Sequence, residues 1–432
     1  MRSTKNLAVF VAAASVILGS LIINTPLLAA ASEKVLYSFC TAPGCIDGIL
    51  PNDLISDESG NLYGMTQLGG AYGSGVVFEL IPKDGKWKEK VLHSFNPNSK
   101  DGFYPQGGLV FDKAGNLYGT TSQGGANNCD GDSCGTVFEL IPNNGKWSEK
   151  VLHSFNFDCN GYNPYATLIL DSAGNLYGTT NESCTTIRSG IVFELIRNNG
   201  RWTEKVLYNF PNDNAFPDHD LIFDKAGNLY GTTIGGGTSG NGTVFELTPS
   251  RGKWAEKVLY SFDDIITTRS RLIFDKAGNL YGTTSEGGSP TCVDGCGYVF
   301  ELTPGKNGKW TETVVHNFIN NGHDGYNPIA GLILDSAENL YSTTSAGGAV
   351  SVCVDFGGCG TVFELIPGKN GTWTEKILHS FELNSKDGII PYTGLIFSKT
   401  GNLYGSTSSG GTSTVGCGTG GPGCGTVFEV TP

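Results

Sequence analysis

The chain has 432 residues, of which only 16% are charged, with 63 glycines and a formal net charge of −13. So little charge with so much glycine fits a tight, turn-rich β protein rather than a disordered chain. The acidic balance, without any Lys/Arg run, argues against nucleic acid as a partner, because phosphates need a basic footprint.

Arg2 and Lys5 precede an apolar run from Leu7 to Ile23, and Ala29-Ala30-Ala31 offers an A-x-A cleavage site. Residues 1–31 therefore read as a signal peptide, with a retained membrane anchor as the alternative. No second hydrophobic span follows, so residues 32–432 are expected to be exported and soluble. Twelve cysteines in an exported chain read as disulfides. Five pairs are near neighbours: Cys40/Cys45, Cys129/Cys134, Cys292/Cys296, Cys353/Cys359 and Cys417/Cys424. Cys159 and Cys184 are left to pair with each other. The clusters lie in Gly-rich loops without accompanying His, which argues against metal ligation.

The phrase DKAGNLYGTT, Asp224 to Thr233, organises the rest. Its NLY core starts at Asn61, Asn116, Asn175, Asn228, Asn279, Asn339 and Asn402, with separations of 55, 59, 53, 51, 60 and 63 residues. Each unit is long enough for about four short strands and their turns, the length of a propeller blade. In the second unit, Leu109-Val110-Phe111 is an A strand and Asn116 to Thr121 a B strand. A variable loop leads to a C strand, Gly135 to Pro142. Asn144-Gly145, a strong hairpin signal, then turns the chain into a D strand, Lys146 to Phe155.

The units are out of phase with the chain ends. The last C strand runs to Pro432 with no D strand after it, whereas Glu33 to Phe39 is a D strand with no blade before it. A closed ring uses both, since the first strand completes the last blade and no edge is left bare. The expected fold is all-β: a seven-bladed propeller of four-stranded antiparallel blades, closed by its N-terminal strand.

The register of the Asn144-Gly145 hairpin sets Glu139 opposite Lys150, and Glu79/Lys90, Glu194/Lys205 and Glu246/Lys257 keep that spacing. The repeated glutamates therefore read as structural. His93, His153, His316 and His379 share one D-strand position with Tyr37, Tyr208 and Tyr260. An exchange of His for Tyr asks for a flat, partly polar ring, not a base or metal ligand. Only His219 and His323 lie off the repeat.

GNLYGTT, the following GG, GTVFEL, KWxEKVLHSF and DGxxP together resemble the GloVer tandem repeats of secreted bacterial proteins, over nearly all of residues 32–432. The resemblance implies an exported, propeller-like repeat protein and supplies no catalytic residues or substrate. Unit six departs from the pattern, with Glu338 and Ser342 in place of two glycines.

In a four-stranded blade the B–C and D–A loops share one face, and here they are long, variable and hold all the cysteines. Function is expected there. The D–A loops share D/N-G-x-x-P, from Asp47, Asp101, Asn160, Asp324 and Asp387. This reads as a turn capped by its acid, with a ring of acids or a cation site as the alternative. Asp130-Gly131-Asp132 is a fragment of a Ca²⁺ loop without its downstream Glu.

The residue before each A strand should border the channel: Asp53, Gly108, Thr167, Asp220, Arg271, Gly331 and Gly394. Asp218-His219-Asp220 and Arg269-Ser270-Arg271 break the small-residue rule on adjacent blades. An Asp220–Arg271 ion pair between blades is the plainer reading. In the chemical one, His219 with Asp218 or Asp220 is a general base and the arginines bind an anion. Gln106, Tyr165 and Tyr392 add polar and stacking contacts. No nucleophile elbow, zinc signature, phosphate loop or dinucleotide fingerprint occurs, and nothing calls for a cofactor or metal. Two functions follow: a non-enzymatic binding module for a glycan, small molecule or protein, or a propeller lyase or hydrolase at the channel mouth.

Overall fold

The computed structural model describes residues 32–126, 134–156, 161–183, 189–211, 215–217, 219–263, 271–348, 353, 358–384, 387–413, 417 and 423–432, with the backbone of 128–129 and 132–133. The described residues form seven main antiparallel sheets in the A-B-C-D order. In the second blade these strands are Val110–Phe111, Leu117–Thr121, Thr136–Asn143 and Lys146–Ser154. The innermost strand is only two residues long because the blades converge there. B and C strands are buried on both faces, as sheets packed between sheets must be.

Local chemistry sets the register. Asn144 and Gly145 both adopt positive φ, 49° and 79°, as a two-residue hairpin turn demands. Glu139 accordingly faces Lys150, and the equivalent glutamates face Lys90, Lys205, Lys257 and Lys376. Gly119 of the NLYG phrase is required by packing, since a Cβ there would lie 2.7 Å from the Phe138 ring. Ser342, at the same position in unit six, is accommodated and donates to the Gly331 carbonyl at 3.0 Å.

Ring closure is as expected. Ser32–Ser38 pairs with Thr426–Thr431, setting Lys34 opposite Glu429. A phenylalanine at the end of each D strand packs edge-on against the C-strand phenylalanine of the next blade, with centroids 5.0–5.5 Å apart. Phe39 packs in this way on Phe78, so blade seven meets blade one as any blade meets its neighbour. Such edge-to-face pairs add about 0.5–1.5 kcal/mol each beyond burial.

The outer hairpins carry a repeated polar network. Asp112 caps its turn through the Asn116 N–H and side-chain amide. The Tyr118 hydroxyl donates to Glu139 at 2.8 Å, and five other units repeat that bond at 2.8–2.9 Å. The glutamates are thus structural in the strict sense.

The His/Tyr position forms a second belt, between blades. Tyr208 donates to Glu256 at 2.7 Å and Tyr260 to Glu312 at 3.2 Å, each glutamate on the next D strand. His153 lies 3.5 Å from Glu204 in the same way, and burial pulls its imidazole down to about 4. The D/N-G-x-x-P acids join this belt: Asp47 accepts from Tyr37 at 2.9 Å, and Asp101 lies 2.9 Å from His93. Each also caps a backbone N–H, of Thr41 and Asn96 respectively, as the turn reading expected.

Disulfides join Cys40–Cys45, Cys292–Cys296, Cys353–Cys359 and Cys417–Cys424. Cys134 is disulfide-bonded too. The side chain of Cys129, the Cys159/Cys184 pair, and Asp130-Gly131 with the side chain of Asp132 lie outside the described residues. Among the described residues, no helix is long and apolar enough to cross a membrane.

Candidate functional site: the channel mouth

The residues before all seven A strands line a cavity of about 970 Å³ at the centre of the ring. Asp53, Gln106, Tyr165, His219, Asp220, Arg271 and Tyr392 all border it. Six different blades or their entry loops supply these side chains, so the chain must close into a ring before they can meet. Arg269 and Asp218 lie outside the described residues.

The residues before the A strands are linked across three of the blade junctions. Gly394 N–H donates to Asp53 at 2.8 Å, Gly108 N–H to the Thr167 hydroxyl at 2.8 Å, and Thr167 N–H to Asp220 at 2.7 Å. Each bond passes from one blade to the next, so the polar side chains at Asp53, Thr167 and Asp220 stitch the inner ends of the blades. The expected ion pair between Asp220 and Arg271 is not among the ion pairs of the described residues. Asp220 is committed instead to the Thr167 backbone, and Arg271 acts on it through its field.

That field works against burial. Desolvation pushes the Asp220 carboxyl up to about 6, opposed by the Arg271 charge and assisted by the Asp53 charge. Asp53 is likewise raised by burial, against the Gly394 hydrogen bond and the Arg271 and His219 charges. Two carboxyls, one guanidinium and one imidazole thus share the mouth, where burial and the neighbouring charges set the proton affinity of the two acids.

Sequence reading missed Gln67 and Asn52. The Asn52 amide is buried and donates to the Pro105 carbonyl at 2.9 Å, and it accepts from Gln67 at 3.3 Å. The signal was available for Gln67: it follows the B-strand Thr66, where units two, five, six and seven have Ser122, Ser285, Ser345 and Ser408. The most exposed large apolar residues also lie on this face. Val293, Tyr72, Ile46 and Tyr392, at 91%, 54%, 52% and 51%, all sit on B–C or D–A loops, whereas the other exposed apolar side chains stay at 44% or below.

The fold recurs in solved structures of low sequence identity. The extracellular domain of the "putative one component system BT4673" from B. thetaiotaomicron aligns with a TM-score of 0.52 at 13% identity. That alignment covers 88% of this chain and 39% of the other, so the chain spans well under half the length of that structure. A protein from Lactobacillus plantarum aligns at 0.49 and 11% identity, over 87% of this chain and 89% of that one. A "putative 6-phosphogluconolactonase" from Bacteroides uniformis aligns at 0.46 and 13%, over 88% and 90%. Identities this low speak for the architecture alone. No curated protein sequence matches the chain. At the level of the repeat the assignment is direct: the profile of the Gloeobacter/Verrucomicrobia repeat matches residues 50–294 and 266–432, and the chain belongs to that family.

Proposed function

We propose that the protein is an exported, non-enzymatic binding module that takes a small polyhydroxylated ligand, a glycan by its chemistry, at the channel mouth. The observation that carries this reading is the convergence on one cavity of the residues that depart from the repeat. The Tyr165 and Tyr392 rings offer flat apolar surfaces for the C–H face of a sugar. Gln67 and Gln106 amides, with Asp53 and Asp220, offer the donors and acceptors that hydroxyl groups require. A cavity of about 970 Å³ falls within the usual range for small-ligand sites. Residues 1–31 read as a cleaved export signal, and the disulfides suit an oxidising compartment.

A glycan array followed by calorimetry tests the reading. Arg271→Ala and Tyr392→Ala are each expected to weaken binding about tenfold or more, the effect of losing a charge-assisted or stacking interaction. Lys90→Ala, on an outer hairpin, is expected to leave it unchanged. A ligand indifferent to Asp220, Arg269 and Arg271 replaced together would place the site elsewhere.

One observation favours a second reading, a lyase or hydrolase. His219 borders the same cavity as Asp220, whose carboxyl is raised to about 6, a range suited to proton transfer near neutral pH. Incubation of a bound glycan with wild type and with His219→Ala separates the two. Turnover lost in the variant, with binding retained, would establish the enzyme.

A further inference from the structure

The outer belt contains a place where the repeat chemistry is left incomplete. Where blade one meets blade two, His93 and Asp101 satisfy each other at 2.9 Å. Where blade five meets blade six, the corresponding His316 Nε2 lies 3.6 Å from Asp324 Oδ2 and 3.6 Å from Glu375 Oε1, too far for a hydrogen bond to either. His316 Nε2, Asp324 Oδ1 and Glu375 Oε1 are all buried atoms without a hydrogen-bond partner. Asp324 is only 6% exposed, so water does not compensate it freely. Acid oxygens without a partner recur around the belt, at Asp47, Glu149 and Asp387 among others, but here the histidine nitrogen is open as well. Asp324 and Glu375 hold each other through a shared proton. A cation among the three ligand atoms, which lie within 4.8 Å of one another, would take that proton's place and give His316 Nε2 a partner.

We propose that His316, Asp324 and Glu375 form a binding site for a divalent transition-metal ion, Zn²⁺ by the donor set, which clamps blade five to blade six. Imidazole nitrogen and carboxylate oxygen are both zinc ligand types, and three protein ligands leave the fourth position of the tetrahedron to water. Bonds of about 2.0–2.1 Å in a tetrahedron put ligand atoms roughly 3.3–3.4 Å apart. The two 3.6 Å separations need to close by only a few tenths of an ångström to reach that. Asp324 Oδ2 also accepts the Ile319 N–H at 2.9 Å, which fixes the carboxylate's orientation. The His316 ring packs edge-on against Phe318 at 4.7 Å, which fixes the imidazole. Such supporting interactions are what hold metal ligands in place. His316 and Glu375 keep 21% and 16% of their side-chain surface, so an ion can enter from solvent.

The site escapes a sequence scan because its three ligands come from a D strand, the following loop and the next blade's D strand. The exchange of His for Tyr around the belt argues against a metal at every node, and the proposal is confined to this one. Glu33, His379 and Asp387 repeat the triad one blade on. There, however, His379 Nε2 already lies within 3.2 Å of Asp387.

The test uses tag-free protein stripped with chelator, then titrated with Co²⁺ and Zn²⁺. Tyrosine occupies the His316 position in three other units, so His316→Tyr keeps the fold while removing the nitrogen ligand. Glu375→Gln removes one carboxylate. Expected results are a visible Co²⁺ ligand-field spectrum displaced by one equivalent of Zn²⁺, and a higher melting temperature with Zn²⁺. Both are lost in His316→Tyr and Glu375→Gln and kept in His379→Tyr. No spectrum with wild type, a spectrum that survives both first variants, or one lost only in His379→Tyr would each overturn the assignment.

Discussion

Glu139, buried on an outer hairpin, and Asp220, half-buried at the channel mouth, are two carboxylates that the protein treats differently. Glu139 accepts the Tyr118 hydroxyl at 2.8 Å and faces Lys150, in an arrangement copied from unit to unit. Asp220 has one backbone donor, a neighbouring acid at Asp53 and the Arg271 charge, and no other unit repeats the set. A buried acid that accepts the same tyrosine hydroxyl in six blades is part of what makes blades stack. One held above its ordinary range at a single place on the rim is free to respond to a ligand or to pH. Periodicity therefore marks stability in this molecule, and departures from it mark chemistry.

The largest test asks whether periodicity extends through the chain ends. Deleting Ser32 to Phe39 removes the strand opposite Thr426–Thr431 and bares that edge. It also removes Leu36 and Phe39, 8% and 0% exposed, from the core shared by blades seven and one. At about 1.5–3 kcal/mol for each large side chain buried, together with the half-buried Val35 and Tyr37, the loss rivals the roughly 5–15 kcal/mol that holds a domain folded. The truncated chain is expected to aggregate. A soluble monomer with unchanged melting temperature, by size exclusion and calorimetry, would mean that the ring does not depend on this strand.

How much was readable follows the same division. Blade count, register and closure were legible because seven copies of one phrase report each strand seven times. Asp220 and Arg271 were legible as exceptions at one repeat position, and Asp53 as a residue of that same position. Asp220's partner was not: the expected Arg271 ion pair gives way to the Thr167 N–H, and a backbone donor leaves no mark in a sequence. Nor was the open His316 Nε2, since the same residue types bring His93 and His379 within hydrogen-bond reach of their aspartates between other blades. A difference of a few tenths of an ångström decides that, and side-chain identity does not encode it.

The next test sets pH against the mouth. Because burial raises Asp220 above its unfolded value of 3.8 to about 6, its contribution to stability is full below pH 4 and lost as pH rises through about 6. A change of that size corresponds to on the order of 3 kcal/mol. Arg271 opposes the rise, with His219 and Asp53 the other titratable groups facing the pair. Arg271→Ala should therefore cost little at pH 4–5, where Asp220 is protonated. It should cost progressively more above pH 6, where two acids share the mouth without a cation. Urea unfolding at both ends of that range measures it. An equal loss at both would show that Arg271 acts through packing.

On the periodic side, Tyr118→Phe removes the hydroxyl shared by Glu139 and Asp112. A buried acceptor left short of a donor costs about 1–3 kcal/mol, and the same change at Tyr63 or Tyr177 is expected to match it. Tyr392→Phe, at a half-exposed ring on the mouth, should stay within about 0.5 kcal/mol of wild type. Similar losses at Tyr118 and Tyr392 in chemical denaturation would erase the distinction between the two regions.

The smallest effect comes from a place where the periodic face itself is broken. Glu338 holds φ 68° in a turn whose counterparts are Gly60, Gly115, Gly174, Gly227, Gly278 and Gly401, with φ of 83–92°. Its N–H still donates to the Asp335 carbonyl at 3.2 Å, as Gly115 does to Asp112 at 3.1 Å, so the turn is kept and the strain is borne. A left-handed conformation costs a side-chain-bearing residue roughly 1–2 kcal/mol. Glycine would relieve that and return about 0.5–1 kcal/mol through the greater freedom of its unfolded chain. Glu338 also lies 3.9 Å from Lys276 on the neighbouring blade, but both are well exposed, and such pairs contribute little. Glu338→Gly is therefore expected to stabilise by about 0.5 kcal/mol, seen as a small rise in melting temperature. Lys276→Ala, which keeps the strain and removes the pair together with the exposed Lys276 bond to the Ser336 carbonyl, should be near neutral by the same measurement. A clear loss of stability in both variants would assign Glu338 to inter-blade attachment, and the break in the repeat would then tie two blades together instead of being strain tolerated.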